Sequence, residues 1–140
     1  MVRKANVQDL NRIFELVEDF ASSFKPQKEL FIQSFENILR ADNASVFVAE
    51  RDKKIIGYSL GFIHSTFFAN GNVAWLEEIM VEMVDERFKR TGVGSELVKA
   101  FEQEAADKDC KLIALATRRA ADFYSAIGYE ESAIYFRKLL

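Results

Sequence analysis

The 140-residue chain contains one cysteine, one proline, one histidine and six glycines. A single cysteine, Cys110, excludes an intrachain disulfide and suits a reducing compartment, so the expected location is cytoplasmic. The lone histidine, His64, has no Cys or His neighbour, which argues against a metal centre. Long apolar runs are missing as well: Ile55 to Ile63 falls far short of the ~18 residues that a membrane span needs. The opening Met-Val-Arg-Lys leads into an amphipathic pattern and not into an apolar signal core. Nor is positive charge in excess. The net charge is −3 and the pI about 5.3, which offers nucleic acid little attraction. With no repeat, low-complexity tract or Pro/Gly/Ser linker, the expectation is one domain over residues 1–140.

What is abundant is apolar and aromatic. Hydrophobic residues make up 49% of the chain and charged residues 29%, a soluble globular profile. Thirteen phenylalanines need a core, a pocket or an interface to cover them. Val2 to Ala5 reads as a strand. Asp9 is the expected cap of a helix whose face is Leu10, Ile13, Phe14, Val17 and Phe20. Beyond Pro26, the positions Leu30, Phe31, Phe35, Ile38 and Leu39 predict a second helix ending near Arg40. Ser45 to Glu50 and Ile55 to Ile63 read as strands around the charged turn Arg51-Asp52-Lys53-Lys54. After Asn70-Gly71-Asn72, Val73 to Val84 continues the meander.

Gly92 then opens a long helix with Val93, Leu97, Val98 and Phe101 on one face. Lys111 to Ala116 predicts a buried strand, Arg119 to Ile127 a short helix stopped by Gly128, and Glu131 to Leu140 one or two closing strands. A meander followed by a strand-helix-strand crossover makes an α/β layered fold, a mixed sheet covered by helices.

The segment Lys89-Arg90-Thr91-Gly92-Val93-Gly94-Ser95 joins a strand to the long helix. Two glycines one residue apart let the backbone turn sharply and approach a ligand. The first helical amides have no intrahelical partner and attract anions, phosphates above all. Two phosphate loops do not fit. A Walker loop needs a lysine before the Ser/Thr, and Ser95 follows Gly94 directly. A dinucleotide fingerprint needs a third glycine where Leu97 stands.

In this combination of segments the chain resembles the GCN5-related N-acetyltransferase (GNAT) superfamily over nearly its whole length. Lys89-x-x-Gly92-x-Gly94 is similar to the family's Arg/Gln-x-x-Gly-x-Gly/Ala pyrophosphate signature, with Lys keeping the charge but not the planar fork of Arg. Trp75-Leu76-Glu77-Glu78-Ile79-Met80-Val81 resembles its fourth strand. Ala120-Ala121-Asp122-Phe123-Tyr124 with Ile127-Gly128-Tyr129 resembles its late helix, and Arg3 to Asp9 its usual opening. Two departures stand out. The strand pattern ends at Val81, whereas Val84 has the family's spacing to the signature; and Thr117 stands where the family often has Asn.

The resemblance implies a GNAT-like, mostly antiparallel sheet with helices on both faces. It also implies transfer of an acetyl group from acetyl-CoA, a co-substrate, to a primary amine by direct attack, with no metal. Lys89, Arg90, Thr91, Gly92, Val93, Gly94 and Ser95 would hold the pyrophosphate. The arm of the coenzyme would pair with a fourth strand splayed from the fifth, a strand amide near Met80 or Val81 polarising the carbonyl. Thr117 and Ala120 would flank that arm. Tyr124 is the general-acid candidate, and Glu77 and Glu78 are the general-base candidates. Strand alternation would let only one glutamate face the cleft. Family members build the acceptor pocket near the early helices, so part of the stripe Phe20, Phe24, Phe31 and Phe35 is expected to touch substrate and more of it to be core. Cys110 reads as packing.

A small-molecule amine is the leading acceptor, and the cluster Glu77, Glu78, Glu82, Asp85 and Glu86 hints at a cationic one. Alternatives are a larger acyl group, a protein lysine or N-terminus as acceptor, or a non-catalytic CoA-sensing domain. No nucleic-acid or membrane partner is expected. A homodimer is compatible with the aromatic surplus.

Overall fold

The computed structural model describes residues 1–82 and 92–140. The order is β1 (Val2–Lys4), α1 (Leu10–Phe20), α2 (Lys28–Arg40), β2 (Ala44–Arg51), β3 (Lys54–Ser65), β4 (Asn72–Val81), α3 (Val93–Asp107), β5 (Ile113–Leu115) and α4 (Ala121–Ala126). The strands lie side by side in the order β1-β2-β3-β4-β5, antiparallel through β4, with β5 parallel to β4. The expected α/β fold is observed. β2 and β3 are joined at Asp52-Lys53, both left-handed with φ of 51° and 65°. Such a two-residue turn matches the twist of the paired strands.

Helices cover both faces of the sheet. On one face α1 and α2 bury Ile13, Leu16 and Phe35 against Val46, Val48, Ile55, Tyr58 and Leu60. On the other, α3 buries Val93, Leu97, Val98 and Phe101 against Phe47, Ile56, Ile63 and Leu76. The residues of α3 are spaced as the 3.6-residue period requires, so its apolar stripe lies flat on the strands. Among the described residues no helix is long and apolar enough to cross a membrane.

Three expectations need correction. Asp9 stands at the N-cap position of α1 as expected, but its side chain makes no cap hydrogen bond to that helix. Asn6 caps a 3-10 turn over Val7–Asp9, and Asp9 closes the reciprocal capping box from its third position. The Asp9 carboxylate also takes a two-pronged contact from Arg3, at 2.8 and 2.9 Å, and a planar guanidinium fork is a stronger partner than α1's first amides.

Glu131 to Leu140 forms no strand, and its residues are exposed throughout. The tail does not ladder onto β5, which is three residues long, and Arg137 instead donates to Ser23 Oγ in the α1–α2 connection at 3.0 Å. The phenylalanine stripe is also less buried than expected. Phe35 is core and Phe31 packs beside it, whereas Phe20 and Phe24 are exposed, because α1 ends at Phe20 and the chain leaves the sheet there.

Arg3 holds the Asp9 carboxyl below the usual carboxylate range, chiefly through their hydrogen bonds, against the opposing effect of burial. A depressed native value means stability that is present above the unfolded carboxylate value and lost as pH falls through the folded one. Asp9→Asn is expected to destabilise the protein by about 2 kcal/mol at neutral pH, as loss of a charged hydrogen bond does. In urea titrations the gap between variant and parent should close as the solution is acidified below the carboxylate range. A gap of constant size at every pH would contradict this.

Candidate functional site

β5 pairs with β4 over three residues only: Ala74 with Ile113, Trp75 with Ala114 and Leu76 with Leu115. β4 continues to Val81, still paired with β3, so its outer edge from Glu77 onward has no β5 partner. The register against β3 slips at the same place. Leu76 faces Gly61 and Glu78 faces Leu60, which leaves Glu77 as the extra residue of a β-bulge. One inserted residue reverses the pleat beyond it.

Two consequences follow for the site. First, Glu77 and Glu78 do not point to opposite faces, which corrects the expectation from strand alternation. Glu77 accepts a hydrogen bond from Trp75 Nε1 at 2.6 Å, and Trp75 lies opposite Phe62 on the α1–α2 face. Glu78 accepts from the buried Tyr58 hydroxyl at 2.7 Å on that same face. Second, the bulge decides which amides face the gap. The Ala74 amide bonds Leu112 on the β5 side, but beyond the bulge the Glu82 amide bonds Ile56 of β3. Counting back by twos along an antiparallel ladder turns the amides of Met80 and Glu78 to β3, and those of Ile79 and Val81 to the gap. Of the two amides considered from sequence, Val81's is therefore the one facing the opening.

The start of α3 lies beside this opening. Gly92 has φ of 84°, a left-handed conformation that favours glycine, and no side chain caps the helix. The first intrahelical bond runs from Glu96 N–H to Gly92 C=O at 2.9 Å, so the amides of Val93, Gly94 and Ser95 precede it. A Cβ on Gly94 would stand 3.3 Å from Phe123 Cζ, so the first turn of α3 packs against α4 through that missing side chain. The sequence reading assigned this glycine to a sharp turn and to ligand approach; its packing role carries no signal of its own in the motif. Lys89, Arg90 and Thr91 lie outside the described residues, as do Val84, Asp85 and Glu86.

Tyr124 is buried in the α3-side cluster with Val93 and Leu97, and Ile79, Val81, Leu115 and Ala120 pack against it. Its ring stands edge-on to Phe123 and Tyr129, with centroids at 4.9 and 5.7 Å. Burial pushes its hydroxyl above the usual range, which keeps it a proton donor at neutral pH. Thr117 Oγ1 accepts from the Ala120 amide at 3.1 Å, fixing the entry to α4, and Thr117 also lines the groove described next. Tyr124 and the glutamates thus sit on opposite faces of the sheet, with the gap between β4 and β5 connecting them. Cys110 packs at the edge of the α3-side cluster, where burial raises its thiol. His64 is exposed at the end of β3.

On the α1–α2 face the gap opens into a groove of about 350 Å³, lined by Trp75, Leu76, Glu77, Ala116, Thr117, Arg118, Tyr135 and Arg137. Sequence reasoning missed Arg118, Tyr135 and Arg137, which neither a motif nor a periodicity marks. The acidic cluster is less cation-seeking than its sequence suggested. Glu82 is bound by Arg12 at 2.9 Å and Lys54 at 3.3 Å, and Glu78 is half-buried under Tyr58.

The model of the "Acetyltransferase (GNAT) family" matches residues 10–129. Bovine thialysine N-epsilon-acetyltransferase is 27% identical over 149 residues, covering 94% of this chain and 84% of the relative. Aminoglycoside N(6')-acetyltransferase type 1 of Salmonella typhimurium is 30% identical over 113 residues, covering 74% of this chain and 75% of the relative. Among solved structures, aminoglycoside N-acetyltransferase AAC(6')-Iy in complex with CoA superposes with a TM-score of 0.83 at 25% identity, covering 99% of this chain and 93% of that one.

Burial raises the Glu78 carboxyl above its usual range; the Tyr58 hydrogen bond opposes that rise and the Glu77 charge adds to it. Tyr58→Phe removes a donor that favours the charged form, so the Glu78 titration seen by carboxyl NMR should move further up. Glu77→Gln removes a like charge and should move it down. Shifts of the opposite sign would show that other groups control this carboxyl.

Proposed function

The chain belongs to the GNAT family of acetyltransferases, and from that premise we propose that it transfers the acetyl group of acetyl-CoA to the primary amine of a small molecule by direct attack. The observation that carries this reading is the outer edge of β4 beyond Leu76, which β5 leaves unpaired, next to an uncapped helix start. The CoA-bound relative of the same fold supports acetyl-CoA as the co-substrate.

The residues fit such a ligand. The amides of Val93, Gly94 and Ser95 suit a pyrophosphate, as an uncapped helix start does in general. Lys89, Arg90 and Thr91 extend that site in the family signature. The Ile79 and Val81 amides suit the carbonyl groups of an extended arm, and Val81 is the donor we assign to the thioester oxygen. Ala120 leaves space beside Tyr124. Glu77 lines the groove and, directly or through water, removes a proton from the incoming ammonium; Glu78 beside it, with its raised affinity for protons, takes that role with it. The amine nitrogen forms a bond to the acetyl carbon, the carbon–sulfur bond breaks, Tyr124 protonates the departing sulfur, and the second proton shed by the new amide nitrogen restores the Tyr124 hydroxyl. Base and acid would thus approach the thioester from the two sides of the gap between β4 and β5.

The small-molecule acceptor is supported by the groove's size and by two relatives whose names specify small amines. A homodimer remains part of the proposal, supported by the exposed Ile134, Phe136 and Leu140 of the tail, and sedimentation at micromolar concentration tests it. A cytoplasmic location is likewise proposed, on the single cysteine.

Thiol release from acetyl-CoA in the presence of a panel of amines is the direct assay. Tyr124→Phe is expected to lower kcat by about 10²-fold or more, the usual contribution of a positioned acid, with coenzyme A affinity retained. Coenzyme A binding with no turnover by the parent protein, and no change on Tyr124→Phe, would favour a CoA-sensing domain instead.

A further inference from the structure

The groove on the α1–α2 face carries two guanidinium groups and one carboxylate. Arg118 follows Ala116 and Thr117 at the mouth of the gap, Arg137 reaches in from the C-terminal tail, and Glu77 faces them from the bulge of β4. Three other arginines are paired where they stand: Arg3 with Asp9 and Glu50, Arg12 with Glu15 and Glu82, and Arg51 with Glu96; Arg40 and Arg119 have no ion pair among the described residues but do not line the groove. Among the described residues neither Arg118 nor Arg137 forms an ion pair. Arg137 is nevertheless held in place, because one nitrogen of its fork donates to Ser23 Oγ at 3.0 Å. Arg137 lines the groove as well. Tyr135, two residues earlier, lines the same groove, whereas Ile134 and Phe136 are 82% and 87% exposed. The tail thus contributes Tyr135 and Arg137 to the lining of an open groove, Tyr135 itself being 62% exposed.

A polycation entering this groove would meet two unpaired guanidiniums, which repel it. A neutral amine would leave them unused. An amine that also carries an anion matches both ends of the groove: the ammonium lies toward Glu77 and the gap, and the anion bridges the arginine forks. Guanidinium is suited to this because its planar donors match the oxygens of a carboxylate or phosphate in pairs.

We infer that the acceptor carries an anionic group, carboxylate or phosphate, on the far side of its reacting amine, and that Arg118 and Arg137 bind that group. The inference rests on the acetyl-transfer reading above and names the acceptor class for that same site.

The test compares kcat/KM of the full chain, with acetyl-CoA saturating, for 6-aminohexanoate, 5-aminopentyl phosphate, n-hexylamine, 1,5-diaminopentane and an aminoglycoside. At least one anion-bearing amine should exceed both hexylamine and the diamine by about tenfold or more, mainly through KM; whichever anion leads identifies the source. Arg118→Gln and Arg137→Gln should each reduce that selectivity ratio about tenfold. Arg137→Glu should turn the preference toward the diamine, a gain that misfolding would not produce. Equal rates for all amines, or a parent preference for the diamine or aminoglycoside, would overturn the inference and leave acetyl transfer intact. Absence of thiol release with every amine, while coenzyme A still binds, would overturn the acetyl-transfer reading and this inference with it.

Discussion

β4 has more backbone than β5 can pair with, and the function we propose depends on that mismatch. Parallel pairing stops at Leu76 and Leu115, and at the next residue Glu77 is inserted against β3. A β5 that stayed paired with β4 as far as Val81 would leave no opening between the two strands and no unused amides. Because the bulge also reverses the pleat, it selects Ile79 and Val81 to face the gap and leaves Glu77 and Glu78 together on the α1–α2 face. One extra residue thus sets the donors and the carboxylates at once. Bulges are common next to binding sites for this reason: they re-aim side chains without dismantling the sheet.

The two apolar layers then give the opening two different sides. The α3 layer brings an uncapped helix start and Tyr124 into one cluster with Val81, and the missing side chain of Gly94 makes room for the Phe123 ring of α4. The α1–α2 layer supplies Tyr58, which anchors Glu78, and the loop that anchors Arg137. Anions are favoured at the helix start by orphan amides. In the groove they are favoured by guanidinium groups, so the same sign of ligand charge is attracted at two sites for different structural reasons.

Most of the architecture is legible in the sequence because it rests on periodicity. The helical spacing of Leu10, Ile13 and Val17 in α1, or of Val93, Leu97 and Phe101 in α3, reports the buried face, although it passes over Leu16, the most buried residue of α1. The glycine at position 92 is legible because only its left-handed conformation requires that residue type. The bulge is not legible: a Leu-Glu-Glu-Ile run reads the same with or without an inserted residue, and only the register against β3 reveals it. Asp9 misleads for a related reason. Its type and position suit a helix cap, but Arg3, brought near by β1, is the stronger partner. The tail reads as strand from Ile134, Tyr135 and Phe136, yet strand propensity needs an edge to pair with. Arg118 and Arg137 are nineteen positions apart, and nothing local links them; the groove does.

The most direct measurement of the central claim is amide hydrogen exchange with and without coenzyme A. The account predicts slowed exchange at Ile79 and Val81 on the open edge of β4 and at Gly94 and Ser95 on α3, with β1 unaffected. Unchanged exchange along that edge in a protein saturated with coenzyme A would show that the gap between β4 and β5 is not where the ligand lies, and would contradict the account.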